Sequence, residues 1–121
     1  MPPKPNKGIK RVIKATQYST KGLRAAFQHE AAFREEIWLA LVLIPTAFFV
    51  DVEQWQRVLM VCSVLLVLVV ELLNTAVEAV VDRIGPEFHE LAGRAKDTGS
   101  AAVMITMFIT GYIWIEALFL S

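Results

Sequence analysis

Between residues 71 and 82 the chain reads Glu-Leu-Leu-Asn-Thr-Ala-Val-Glu-Ala-Val-Val-Asp. These are residue types that accept a proton, hold a hard cation through oxygen, or orient a polar reactant through an amide. At about 100° per residue on a helix, Asn74 lies roughly 60° from Glu71, while Glu78 and Asp82 lie about 20° to either side of it. With Thr75 they form one polar stripe about 17 Å long. The stripe continues an uncharged, mostly aliphatic run over residues 58–70 with no turn signal between. Ionisable groups on a membrane helix cost about 2.5–3.5 kcal/mol each at its centre and point by default to function.

The elements that must position this stripe follow from composition. The chain has 121 residues, 55 % hydrophobic, with a mean hydropathy of +0.50, which suits one domain dominated by long apolar runs. Residues 1–8, rich in proline and charge, read as a frayed arm. Residues 9–28 are periodic and amphipathic: Ile9, Val12, Ile13 and Thr16 share a face, and Lys10, Lys14 and Lys21 lie away from it. This predicts a basic helix lying on the membrane surface, broken or bent at Gly22. Three spans follow at about residues 31–50, 58–81 and 100–120, the first tolerating Pro45 as a kink. The connections are a short polar loop over 51–57 and a long one over 82–98. Trp55, Tyr112 and Trp114 read as interface anchors.

The formal net charge of 0 conceals an asymmetry, since seven cationic residues precede the first acid, Glu30. With the N-terminus inside, eleven of the twelve Lys and Arg residues face the cytoplasm and only Arg57 lies outside. A multi-pass membrane protein with its N-terminus in the cytoplasm is expected, its basic arm against an anionic leaflet and not nucleic acid. The single cysteine, Cys62, precludes an intrachain disulfide, and no apolar core suited to a cleavable signal peptide lies in the first 36 residues.

A second span starting near Arg57 puts its cytoplasmic boundary near Ala76. Glu71 then lies one to two turns inside, Asn74 near the boundary, and Glu78 and Asp82 at headgroup level. A carboxylate at that depth can serve as proton acceptor for a lipid polar group. The shallower ones meet a charged, water-borne reactant. Glu30, at the cytoplasmic end of the first span, falls at the depth of Glu78. Two such carboxylates can hold a Mg²⁺ that also takes phosphate oxygens; equally, Glu30 can pair with Arg34 on its own helix. Lys96 suits phosphate charge, although a solvated loop lysine is the commoner case, and a loop histidine such as His89 is more often plain surface. The chain has no phosphate-binding glycine loop, no zinc-spaced Cys/His cluster and no nucleophile elbow.

The 71–82 segment resembles the signature of the prokaryotic diacylglycerol kinase family. Gly22-Leu23-Arg24-Ala25-Ala26, Glu30-Ala31-Ala32-Phe33-Arg34, Asp82-Arg83-Ile84-Gly85 and Gly93-Arg94-Ala95-Lys96-Asp97 fit in order and spacing. The resemblance implies an all-α membrane protein: an amphipathic surface helix and three spans per subunit in a homotrimer, with active sites between subunits. It implies transfer of the ATP γ-phosphate to the hydroxyl of diacylglycerol. Glu71 then matches the general base, Asn74 a supporting polar residue, and Glu30 and Glu78 the Mg²⁺ ligands. Arg11, Tyr18, Glu87, Phe88, His89, Lys96 and Asp97 match nucleotide contacts. Arg11, Glu71, Ser100 and Trp114 match the lipid site. Phe88 stands where tyrosine is common. The undecaprenol kinases are similar but otherwise distinct.

A lipid-facing Glu71 would be costly, so burial against a neighbouring subunit is expected. Two readings from other classes compete: a proton or cation pathway, and a scaffold whose polar stripe only sets oligomer register.

Overall fold

The computed structural model describes residues 7–85 and 89–121. Four α-helices account for nearly all of them: α1 (Ile9–His29), α2 (Ala31–Phe49), α3 (Gln54–Ile84) and α4 (Glu90–Ile115), the last continuing into a π-helical turn, Glu116–Leu120. Among the described residues there is no strand.

The α2–α3 connection is shorter than its composition suggests. Glu53 and Gln56 form a reciprocal capping box, Gln56 Oε1 accepting from the Glu53 N–H at 2.9 Å, and this starts α3 at Gln54 instead of beyond Arg57. Arg57 donates from Nε to the Ala47 carbonyl at 2.9 Å and from Nη2 to that of Val50 at 3.1 Å. It thereby satisfies carbonyls that the end of α2 leaves without helical partners. The one cation expected on the outer side thus has a local structural use.

The 82–98 connection is also mostly helical. α3 runs on to Ile84 and α4 begins at Glu90, so both helices carry their polar ends beyond their apolar stretches. At 31 residues α3 is about 46 Å long, against a hydrocarbon core of about 30 Å. Gly22 does not break α1, which is continuous through it. The break comes at Glu30, whose extended backbone (φ −116°, ψ 107°) ends α1 and begins α2.

α3 and the segment Glu90–Leu120 are long and apolar enough to cross a membrane. α2 falls outside that class, because Arg34, Glu35 and Glu36 occupy the first third of its 19 residues. Large apolar side chains cover the outside of the bundle, among them Trp38, Leu41, Val42, Phe49, Val69 and Phe108. So broad an apolar exterior is expected of a surface that meets lipid or other subunits.

The dry core lies in the half of the bundle away from the polar stripe. Met60 and Val64 of α3 pack against Ala40 and Ala47 of α2 and against Trp114 and Ala117. The alanines let the backbones approach, which is how helices gain packing where water cannot drive association. Trp114 Nε1 donates to the Met60 carbonyl at 3.1 Å, and Thr110 Oγ1 to that of Ser63 at 3.1 Å. Trp114 is therefore a core residue, not the interface anchor its position near a span end suggests. Tyr112 and Trp55 are exposed, as anchors require.

Candidate active site

The polar stripe of α3 divides among its three neighbours. Its centre, Glu71, faces α2. The side carrying Thr75, Glu78 and Asp82 faces α1, and the opposite edge, Asn74, faces α4. The angular spread of the stripe makes this division possible, since Asn74 and Thr75 lie about 100° apart around the helix.

Glu71 is 5 % exposed within a single chain. The expectation that a neighbouring subunit must bury it is corrected here, because α2 does so. The carboxyl facing it is that of Glu36, itself 7 % exposed and within hydrogen-bonding reach. Glu36 Oε2 is buried without a partner. A hydrogen bond between two carboxyls requires a proton on one of them, because an ionised carboxylate only accepts.

Glu36 is a candidate site residue that sequence reasoning passed over. A signal was available: Glu36 falls three residues after Phe33 and four before Ala40, and all three are buried on one face of α2. A carboxylate on a core face ought to have drawn the same scrutiny as Glu71.

Toward α1 lies a cleft of about 750 Å³. Its walls bring Glu30 at the α1–α2 break together with Glu78 and Asp82 of α3, beside Ser19 and His29. Phe27 of α1 and Trp38 of α2 stack edge to face across that break, with centroids 6.3 Å apart. Arg34 does not pair with Glu30. Its Nη1 donates to the carbonyls of Phe27 at 2.8 Å and Gln28 at 3.1 Å, capping α1, so the same-helix ion pair is not what fixes Glu30. At the rim, Lys96 Nζ meets Asp82 Oδ1 at 2.8 Å. That hydrogen bond, with the charge of Asp82, raises the Lys96 pKa and keeps the ammonium charged.

Toward α4, Asn74 Nδ2 reaches Glu78 Oε1 at 3.5 Å, while Asn74 Oδ1 is buried without a partner. Glu71, Asn74, Glu78, Glu30, Asp82 and Lys96 thus occupy one end of the bundle.

The remaining candidates are less concentrated. Arg11 and Ser19 line a shallow groove along α1, and Ser19 and Leu23 also line the cleft, so groove and cleft adjoin. Tyr18 is exposed on the same helix. His89 Nδ1 accepts the Leu91 N–H at 3.0 Å and caps α4. Asp97 and Ser100 are exposed. Trp114 lies with Met60, about 16 Å along α3 from Glu71, so one chain's geometry gives no support to its place in the lipid site. Glu87 and Phe88 lie outside the described residues.

Among the described residues no three His, Cys, Asp or Glu side chains converge as a metal cluster, so the cleft offers at most a two-carboxylate donor set. Glu30 and Glu78 supply carboxylate oxygens and leave room for phosphate oxygens, the usual mode for Mg²⁺.

Comparison with known proteins decides the family. Residues 17–118 match the prokaryotic diacylglycerol kinase family. The chain belongs to that family. It is 54 % identical to a diacylglycerol kinase of Haemophilus influenzae over 93 % of this chain and 95 % of the relative. It is 55 % identical to one of Escherichia coli over 88 % of each chain. A Pseudomonas aeruginosa diacylglycerol kinase is 49 % identical over 94 % of this chain and 95 % of its own. The family is one of enzymes, and the all-helical fold with its two long apolar helices agrees with a membrane-bound member.

Proposed function

We propose that this protein phosphorylates the free hydroxyl of sn-1,2-diacylglycerol with ATP, giving phosphatidic acid, at the cytoplasmic surface of a bacterial inner membrane. The observation that carries the proposal is the juxtaposition of two unlike sites on one helix. Glu71 is a buried carboxylate on an apolar helix. Within two turns of it, Glu78 opens onto a cleft that also holds Glu30, Asp82 and, at its rim, Lys96. A lipid alcohol can reach the first and a water-borne triphosphate the second.

Phosphoryl transfer asks little covalent chemistry of the protein. It needs alignment, a proton acceptor and cations on the spreading charge. The lipid hydroxyl oxygen bonds to the γ-phosphorus while the bond from that phosphorus to the β–γ bridging oxygen breaks. Glu71 takes the hydroxyl proton and ADP leaves. Glu36 steadies the Glu71 carboxyl from behind, Asn74 lies one turn along from it, and Lys96, held by Asp82, lends positive charge to the triphosphate. Glu30 and Glu78 would hold Mg²⁺, which neutralises phosphate charge and orients the oxygens. Arg11, Tyr18, His89, Asp97 and the 87–88 segment complete the nucleotide contacts, and Ser100 the lipid side.

The same reading gives α1 a place on the membrane surface, because Ile9, Val12 and Ile13 are all exposed on one face. It makes α2 a third span and assembles three chains into a trimer, with the N-terminus cytoplasmic.

The test is direct. Purified protein in micelles is given labelled ATP, Mg²⁺ and dioleoylglycerol, and the organic phase is counted. Label in phosphatidate is expected. Proton flux without ATP use, label only with undecaprenol, or no label at all would each refute the proposal.

A further inference from the structure

We propose that Gly99 is a positioning residue of the active site: its missing side chain is the space into which the Asn74 carboxamide fits. A Cβ built at Gly99 would overlap Asn74 Oδ1 and lie 3.1 Å from Cγ. A methyl group cannot occupy that volume unless Asn74 turns away. Gly99 has no positive φ to explain it, and alanine is the better helix former. The glycine is therefore required by what it faces. Gly111, on the same helix, meets nothing within 4 Å.

The consequence follows from the neighbours of Asn74. Its Oδ1 is buried against α4 with no partner, and its Nδ2 points at Glu78 Oε1 at 3.5 Å. Seating the oxygen against Gly99 aims the nitrogen into the site. A Cβ at position 99 forces a new Asn74 rotamer, drawing the amide away from Glu78 without touching nucleotide or lipid itself. This rests on the proposed role of Asn74 in phosphoryl transfer, but the packing claim can be tested without it.

The test is a double-mutant cycle with a spectroscopic arm. Gly99→Ala is expected to lower kcat at least tenfold with KM for ATP within twofold. In an Asn74→Ala background the same change is expected to alter kcat less than twofold. Gly111→Ala serves as the matched control and keeps wild-type turnover. In ¹⁵N NMR of the micellar protein, the Asn74 side-chain amide resonances are expected to move in Gly99→Ala and stay put in Gly111→Ala. Unmoved Asn74 resonances overturn the packing claim whatever the activity. A full kcat loss in the Asn74→Ala background, or wild-type kcat in Gly99→Ala, overturns the positioning role. If wild-type protein transfers no phosphate but the resonances move, the proposed function fails and the packing claim stands.

Discussion

In the half of α3 between Gln54 and Val67, every buried polar group identified has a partner on a neighbouring turn or helix. Ser63 donates to the Met60 carbonyl at 2.8 Å, and that carbonyl also takes the Trp114 indole at 3.1 Å. From Glu71 to Asp82 the same helix does the reverse. Asn74 Oδ1 and Thr75 Oγ1 are buried without partners, as is Glu36 Oε2 opposite Glu71. Both halves belong to one continuous helix, so the contrast comes from side chains alone. Unpaired buried polar atoms are costly where only stability is at stake. These unpaired atoms lie on and opposite the polar stripe of α3, beside the residues proposed to carry the chemistry.

Substitutions in the two halves should therefore behave oppositely. The largest effect is expected at Glu71→Gln, which keeps the shape but removes the proton acceptor; kcat should fall about 10²–10⁴-fold while the protein remains folded. Near-normal turnover would remove Glu71 from its role. Glu78→Gln and Glu30→Gln should follow, each losing most of kcat and needing more Mg²⁺ for half-maximal rate, as read from a metal titration. An unchanged Mg²⁺ dependence in both would break the assignment of the cleft. Lys96→Met should act mainly on binding, raising KM for ATP about tenfold with a smaller change in kcat. The smallest catalytic effect belongs to the dry half. Met60→Ala leaves a cavity worth about 2–5 kcal/mol in stability, lowering the unfolding midpoint in detergent while kcat of the folded protein stays within about threefold.

Much of this contrast was legible in the sequence, for identifiable reasons. The spacing of Glu71, Asn74, Thr75, Glu78 and Asp82 fixes a common stripe on any helix, and the aliphatic run before it marks the helix as long and apolar enough to cross a membrane. What the spacing could not reveal was which neighbour each residue meets. Glu36 escaped because it sits in a charged cluster, Arg34-Glu35-Glu36, that looks like a solvated helix start. Only packing shows that it turns inward with Phe33 and Ala40. Trp114 was misread because an aromatic near a span end is usually an anchor, whereas here its indole finds the Met60 carbonyl. The connection over 82–98 looked like a loop because polarity and glycine mark loops, yet polar residues also finish helices that outrun the membrane.

The proposed mechanism requires the triphosphate to enter the cleft between α1 and α3, not the mostly apolar groove between α3 and α4. Ala79 lines the cleft beside Glu30 and Glu78, and Thr98 lines the one between α3 and α4. With Cys62 replaced by serine, the rate of maleimide labelling of Ala79→Cys and of Thr98→Cys can be measured with and without a non-hydrolysable ATP analogue and Mg²⁺. The analogue is expected to protect Ala79→Cys at least fivefold and leave Thr98→Cys unchanged. Protection of Thr98→Cys alone, or of neither, would contradict the placement of the nucleotide between α1 and α3.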